Sequence, residues 1–270
     1  MFSAPDVAYF SIFGFPIYYY GIILAVAVFV GISISDKIAC WKYFLYGIVP
    51  RVATPTIIGG IIGARLYYCI LNYDIYLKNP MGILAFREGG LSIHGALIGG
   101  AIVLYFQAKK YHVNLLKLCD IFSLGLPLAQ AIGRWGNFFN QEAFGLPCDL
   151  PWKLYISQPY RPDKYFSNKF FHPTFLYESL LDIVIFIVLY KIIMPKYKDD
   201  VGVITAVYLL MYSVVRIFIE GLRVDCVRYV FNIPLPQIIS FVIIIFTTIF
   251  LIRKYKIKKR SENEKNNPFV

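Results

Sequence analysis

Charge is scarce in this sequence: Asp, Glu, Lys and Arg together make 16% of its 270 residues, while 58% are hydrophobic. An ordinary soluble domain carries about 25% charged residues, so water is not the main solvent of this chain. Its five cysteines, Cys40, Cys69, Cys119, Cys148 and Cys226, form no CxxC pair and no metal-like spacing. That pattern suggests neither a zinc site nor a redox dithiol and reads as small buried hydrophobes. Met1 to Pro16 lacks Lys and Arg and has no small-residue cleavage site, so the first apolar stretch is expected to stay as a span. No internal repeat stands out, which argues against a transporter built from duplicated halves. The net charge of +11 gathers in particular loops, as orientation signals do, which leaves a nucleic-acid partner without support.

What the sequence does have is a succession of apolar runs long enough to cross a bilayer, for which about 20 residues are needed. They are Tyr18 to Ser35, Val52 to Leu71, Leu91 to Ala108, Leu115 to Trp135, Phe175 to Met194, Val201 to Ile219 and Leu235 to Ile252. The expected fold is an all-α integral membrane protein of about seven transmembrane helices, one polytopic domain over residues 1–270. Alternate loops differ about twofold in Lys and Arg, the poorer set holding Lys78, Arg87, Lys153, Arg161, Lys164, Lys169, Arg223 and Arg228. Cytoplasmic loops carry the excess. The amino terminus is then expected outside and the carboxyl terminus inside, with segment 136–174 on the outer face and a basic cytoplasmic tail at 253–270. Gly59 and Gly63, like Gly95 and Gly99, are four apart and suit close helix packing.

Three arginines, Arg65, Arg134 and Arg216, fall inside or at the ends of these runs, each costing about 2.5–3.5 kcal/mol at a helix centre. Two explanations compete: pairing with Glu178, Asp182 or Glu220, and binding of an anionic ligand such as a lipid phosphate. The deduced topology brings Tyr20, Arg65, His94, Arg134, Tyr177, Glu178, Tyr212, Arg216 and Glu220 to one leaflet, with Asp120 at the other side, which favours an outer-leaflet ligand site. Tyr212, Arg216 and Glu220 are spaced by four and share a helix face, with Arg223 about one turn further. Arginine suits a phosphodiester because its planar fork makes paired, charge-assisted hydrogen bonds. His94 is the histidine that falls within a span, and an imidazole can take a proton near neutral pH. A hydrogen-bonded helix contact is the rival reading of that side chain. From Gly133 to Gly145, Arg134, Asn137, Asn140 and Glu142 set polar groups where headgroups lie. A polar helix end meeting water is the alternative there.

That stretch, Gly133-Arg134-Trp135-Gly136-Asn137-Phe138-Phe139-Asn140-Gln141-Glu142-Ala143-Phe144-Gly145, resembles the signature G-R-x-G-N-F-x-N-x-E-x-x-G of the bacterial prolipoprotein diacylglyceryl transferases at every fixed position. Further stretches are similar in family order: Tyr20-Gly21, Gly63-Ala64-Arg65-Leu66, Gly89 to Gly95, His172-Pro173, Leu176-Tyr177-Glu178, and Tyr212 to Arg216 with Glu220 and Arg223. One departure is Ala96, where the family commonly has glycine after His94-Gly95.

The resemblance implies transfer of the diacylglyceryl group of phosphatidylglycerol to the cysteine thiol of a preprolipoprotein lipobox, at the outer face of the bacterial plasma membrane. It implies no metal and no diffusible cofactor. By similarity Arg134 and Arg216 grip the phosphate, and His94 or Tyr212 assists proton transfer. Tyr20, Arg65, Gly95, Asn137, Asn140, Glu142, Gly145, Glu220 and Arg223 belong to substrate binding. The rival from another class is a lipid or anion transporter with an outer-leaflet phosphate site, which would need polar groups continuing to the cytoplasmic side.

Overall fold

The computed structural model describes residues 2–5, 8–13, 15–85, 89–224 and 229–266; Arg87, Cys226, Arg228 and the last residues of the basic tail lie outside them. The apolar runs fold into helices α1 (Tyr19–Tyr43), α2 (Ile48–Leu71), α4 (Ile93–Lys110), α5 (Leu115–Asn140), α6 (Thr174–Val188), α8 (Val203–Leu222) and α9 (Leu235–Asn266), with short α3 (Tyr73–Lys78) and α7 (Met194–Tyr197) between them. A wide π turn, Leu189–Ile193, carries α6 into α7. Five of these, α1, α2, α5, α8 and α9 as far as Arg260, are long and apolar enough to cross a membrane. The chain is a multi-pass membrane protein. Several helices overrun the apolar runs, α1 to Tyr43, α5 to Asn140 and α9 to Asn266. Their ends are polar and their centres are not, as expected where a helix leaves the hydrocarbon and its side chains regain hydration.

Four hydroxyl side chains inside the apolar helices are satisfied locally. Thr54 and Thr56 donate to the carbonyls of Pro50 and Val52, Ser240 to Pro236, and Thr247 to Ile243. Each returns its hydroxyl proton to the helix one turn back, which removes an unpaired donor from a medium without water.

The residues fall into two compact units, 34–121 and 1–33 with 122–270, whose boundaries lie within α1 and α5. In the first, α2 packs along α4. A Cβ on Gly63 would meet the Gly95 carbonyl oxygen, one on Gly95 the Gly63 carbonyl, and one on Gly99 the Gly59 carbonyl. The four-residue glycine spacing thus makes a seam where two backbones touch.

In the second unit, Ser179 Oγ donates to the Ala131 carbonyl (2.8 Å) and Tyr208 OH to Gln130 Oε1 (2.9 Å), tying α6 and α8 to α5. Gln237 Nε2 donates to the Ile217 carbonyl at 3.0 Å, tying α9 to α8. Short strands accompany the helices: β1 (Phe2–Ser3), the hairpin β2 (Tyr9–Ile12) and β3 (Phe15–Tyr18) leading into α1, β4 (Leu154–Tyr155), β5 (Phe170–Phe171), and the hairpin β6 (Tyr229–Val230) and β7 (Ile233–Pro234) leading into α9. In one sheet of order β1-β4-β5, β1 runs parallel to β4 and β5 antiparallel, so Phe2, Leu154 and Phe171 lie side by side. Phe144, Leu154, Ile156, Phe171 and Phe175 close a small hydrophobic core beneath it. The segment after α5 is therefore a folded cap, an addition to the all-α architecture.

Candidate active site

The polar centre of the larger unit is built on three helices. Arg134 comes from α5, Glu178 from α6, and Tyr212, Arg216 and Glu220 from one face of α8. Glu178 takes an arginine on each oxygen: Oε2 lies 2.5 Å from Arg134 Nη2 and Oε1 lies 3.3 Å from Arg216 Nη1. Arg216 Nη2 lies 2.6 Å from Glu220 Oε2, and Arg134 Nη2 reaches the Tyr212 hydroxyl at 3.3 Å. The carboxylate side chains are 3% and 2% exposed, against 18% and 16% for the two arginines. The carboxylates are thus the inner layer and the guanidinium groups the accessible one. Buried charges persist only when paired, and here each arginine has an inner partner while keeping other donors. Arg134 Nε and Nη1 and Arg216 Nε take no protein acceptor among the described residues. Both competing explanations of these arginines therefore meet in one arrangement: internal pairs that still present N–H groups to a ligand.

Beside this centre, the Gly133 to Gly145 stretch leaves α5 and doubles back. Glu142 N donates to the Asn137 carbonyl at 3.0 Å, while Glu142 Oε1 accepts from Asn137 Nδ2 (2.9 Å) and Asn140 Nδ2 (3.4 Å). One carboxylate oxygen thus gathers both amides. Gln141 and Ala143 have φ of 52° and 56°. Buried Gln141 accepts the Ser157 N–H at 2.7 Å, and Thr174 Oγ1 donates to the Ala143 carbonyl, pinning the turn. At Gly145, a Cβ would lie 2.8 Å from His172 Cβ and 3.1 Å from the Leu222 carbonyl oxygen. Gly145 also bridges to Arg223, and Leu146 N donates to the Leu222 carbonyl at 2.8 Å. Its place in the motif is where the cap meets the end of α8. Gly136 leaves room for Tyr20, whose ring a Cβ would approach to 2.6 Å. A cavity of about 430 Å³ opens beside Asn140 and Glu142, walled also by Ala8, Gln141, Phe144, Tyr160 and Pro162.

His94, Gly95 and Arg65 belong to the smaller unit. His94 is exposed in the first turn of α4, its ring centroid 6.2 Å from that of Tyr67. Gly95 is buried in the glycine seam against Gly63. Arg65, expected among the substrate-binding residues, is 3% exposed, and its nitrogens are engaged by backbone carbonyls. Nε donates to Ile83 (3.0 Å), Nη1 to Gly89 (2.5 Å) and Gly90 (3.0 Å), and Nη2 to Gly82 (2.5 Å) and Ala85 (3.2 Å).

Sequence reasoning places Glu178 among possible ion-pair partners and among the polar groups of one leaflet; in the structure it bridges both arginines. Asp182, one turn further along α6, is 1% exposed, and neither of its oxygens has a hydrogen-bond partner among the described residues. The Tyr177 hydroxyl accepts from Trp152 Nε1 (3.0 Å) and sits 3.2 Å from His172 Nδ1. For Glu178 and Asp182 the available signal is a carboxylate in an apolar run; for Tyr177 and His172 it is the family-like stretches His172-Pro173 and Leu176-Tyr177-Glu178.

The fold and site define a multi-pass membrane protein with a charge-compensated arginine pair beside a polar, folded cap. The sequence pattern of the prolipoprotein diacylglyceryl transferases matches residues 7–253, and the chain belongs to that family. It is similar to phosphatidylglycerol–prolipoprotein diacylglyceryl transferases of Synechococcus elongatus, 39% identical over 96% of this chain and 90% of the relative, and Synechocystis sp., 38% identical over 96% and 92%. The enzyme of that name from Thermotoga maritima is 46% identical over 76% of this chain and 70% of its own length. The chain is accordingly a transferase.

Proposed function

We propose that this protein transfers the diacylglyceryl group of phosphatidylglycerol to the thiol of a lipobox cysteine in a preprolipoprotein, the first step of lipoprotein maturation. The observation that carries this is the Glu178-bridged pair of Arg134 and Arg216, whose outward donors suit a phosphodiester. A thiolate sulfur attacks the glycerol carbon that bears the phosphate, the carbon–oxygen bond breaks, and glycerol phosphate leaves with the bonding pair. A carbon–sulfur bond forms, and the thiol proton ends on the departing phosphate. Arg134 and Arg216 stabilise the charge that grows on the phosphate oxygen. His94 or Tyr212 carries the proton, Tyr212 from its place against Arg134. Tyr20, Asn137, Asn140, Glu142 and the adjoining cavity receive the headgroup, while Gly145, Glu220 and Arg223 shape their surroundings. On this reading the chain crosses a bacterial plasma membrane seven times, amino terminus outside, with the site at the outer leaflet.

The test incubates purified protein with phosphatidylglycerol and a lipobox peptide. Mass spectrometry should find the peptide heavier by one diacylglyceryl group in thioether linkage, and glycerol phosphate in the supernatant. Protein that moves phosphatidylglycerol between leaflets but leaves the peptide unmodified would favour the transporter reading instead.

A further inference from the structure

Arg65 differs from Arg134 and Arg216 in what surrounds it. A guanidinium has five N–H donors in a fixed fork, and five carbonyls, of Gly82, Ile83, Ala85, Gly89 and Gly90, receive hydrogen bonds from it. All belong to one short segment that leads into α4. Gly89 and Gly90, with φ of 83° and 73°, take the left-handed backbone that few side chains tolerate. Space is also closed at Gly90, where a Cβ would lie 2.6 Å from Arg65 Nη1 and 2.8 Å from Tyr68 Cε1. The residue before Arg65 adds a second fastening: the Ala64 carbonyl accepts from Ser92 N at 3.0 Å. Ser92 immediately precedes α4, and His94 lies in the first turn of that helix. Two consecutive residues of α2 therefore hold the chain on its way to His94.

We propose that Arg65 is a positioning residue for His94: it fastens residues 82–85 and 89–90 and so fixes the first turn of α4, instead of gripping the lipid phosphate. This rests on the reading of His94 as a proton carrier. To contact a phosphate, Arg65 would have to release carbonyls in a buried place, and each buried acceptor left without a donor carries a desolvation penalty. Arg134 and Arg216, held by Glu178, Glu220 and the Tyr212 hydroxyl with other N–H groups left over, have no such conflict.

The experiment compares full-length parent, Arg65→Lys, His94→Gln and the double variant in the phosphatidylglycerol–peptide assay, with hydrogen exchange of the same samples in detergent. A lysine keeps the charge but has three donors on a flexible stem and cannot reach all five carbonyls. Amides of 82–92 should exchange faster in Arg65→Lys while those of α8 stay as in the parent. The kcat should fall about 10²-fold, the order expected when a reacting group is displaced by about 1 Å. The KM for phosphatidylglycerol should stay within about twofold. In the His94→Gln background, Arg65→Lys should cost little more, because residues acting as a unit are non-additive. Should Arg65→Lys not fold, Gly90→Ala, which crowds the guanidinium from the other side, is the second variant, with the same expectations.

A raised KM with unchanged kcat would return Arg65 to phosphate binding and overturn the proposal. So would fully additive losses, or unchanged exchange across 82–92. Parent-like activity of His94→Gln alone would remove the proton role itself. That failure is visible without any Arg65 variant, so it is distinguishable from failure of the positioning.

Discussion

Glu178 holds one arginine on each carboxylate oxygen, so the spacing and tilt of the two forks are set before any ligand arrives, which is the preorganisation that charge stabilisation needs. Arg134→Lys and Arg216→Lys keep the charge and lose the fork. Each should lower kcat by about 10²–10³, the usual cost of one preorganised donor, in the same mass-spectrometric assay. His94→Gln should fall by a comparable amount, about 10²–10⁴, and is separated from them by pH. Raising pH ionises more of the substrate thiol, whose ordinary pKa is about 8.5. His94→Gln should therefore recover part of its loss, while the arginine variants gain no more than the parent does. Identical pH profiles for all three would move the proton role to Tyr212. The residues needed for this argument were only partly legible in the sequence. Three arginines in apolar runs looked alike, but two face carboxylates and the third faces carbonyls. Backbone acceptors leave no mark in a sequence, so nothing there separated Arg65 from the others.

At the scale of elements, the α2 and α4 seam was legible because four-residue glycine spacing projects small residues onto one helix face. Gly63→Leu would drive a Cβ into the Gly95 carbonyl, which is backbone and cannot rotate aside. It should destabilise by about 1–3 kcal/mol, the range for overpacked interiors, and lower the unfolding temperature in detergent. Gly21→Ala, on α1 with nothing within 4 Å of its added methyl, should stay within about 1 kcal/mol of the parent or gain slightly. Equal shifts for the two would mean that the seam is not a close contact. The cap was the opposite case. Two-residue strands such as β1, β4 and β5 are too short to show alternation, and the pairing of β1 with β4 joins residues some 150 apart in sequence. Only the polar signature announced that something lay after α5.

For the whole molecule, the remaining question is which way it faces, and the twofold bias of Lys and Arg between alternate loops sets the expectation. Replacing Cys40, Cys69, Cys119, Cys148 and Cys226 should leave activity intact, since the reacting thiol belongs to the substrate. The first four are free thiols in the structure. In that background a single cysteine at Lys164 should react with an impermeant maleimide in intact cells. Labelling only after permeabilisation would reverse the orientation, and loss of activity in the folded cysteine-free protein would give one of those thiols a role. The five helices long and apolar enough to cross were readable because a bilayer sets the length of a spanning helix, whereas the grouping of helices into two units depends on which faces pack. The Glu178 bridge also bears on how a turnover finishes. The formal charges of Arg134, Arg216, Glu178 and Glu220 sum to zero, so on the proposed reading a single phosphodiester charge is received by directed N–H groups of the two arginines. Once the acyl chains have left with the peptide, the glycerol phosphate is a small monoester whose second ionisation near pH 6 adds negative charge. On that reading such a product has no hydrocarbon to hold it in the bilayer, so water should reclaim it and empty the site for the next lipid.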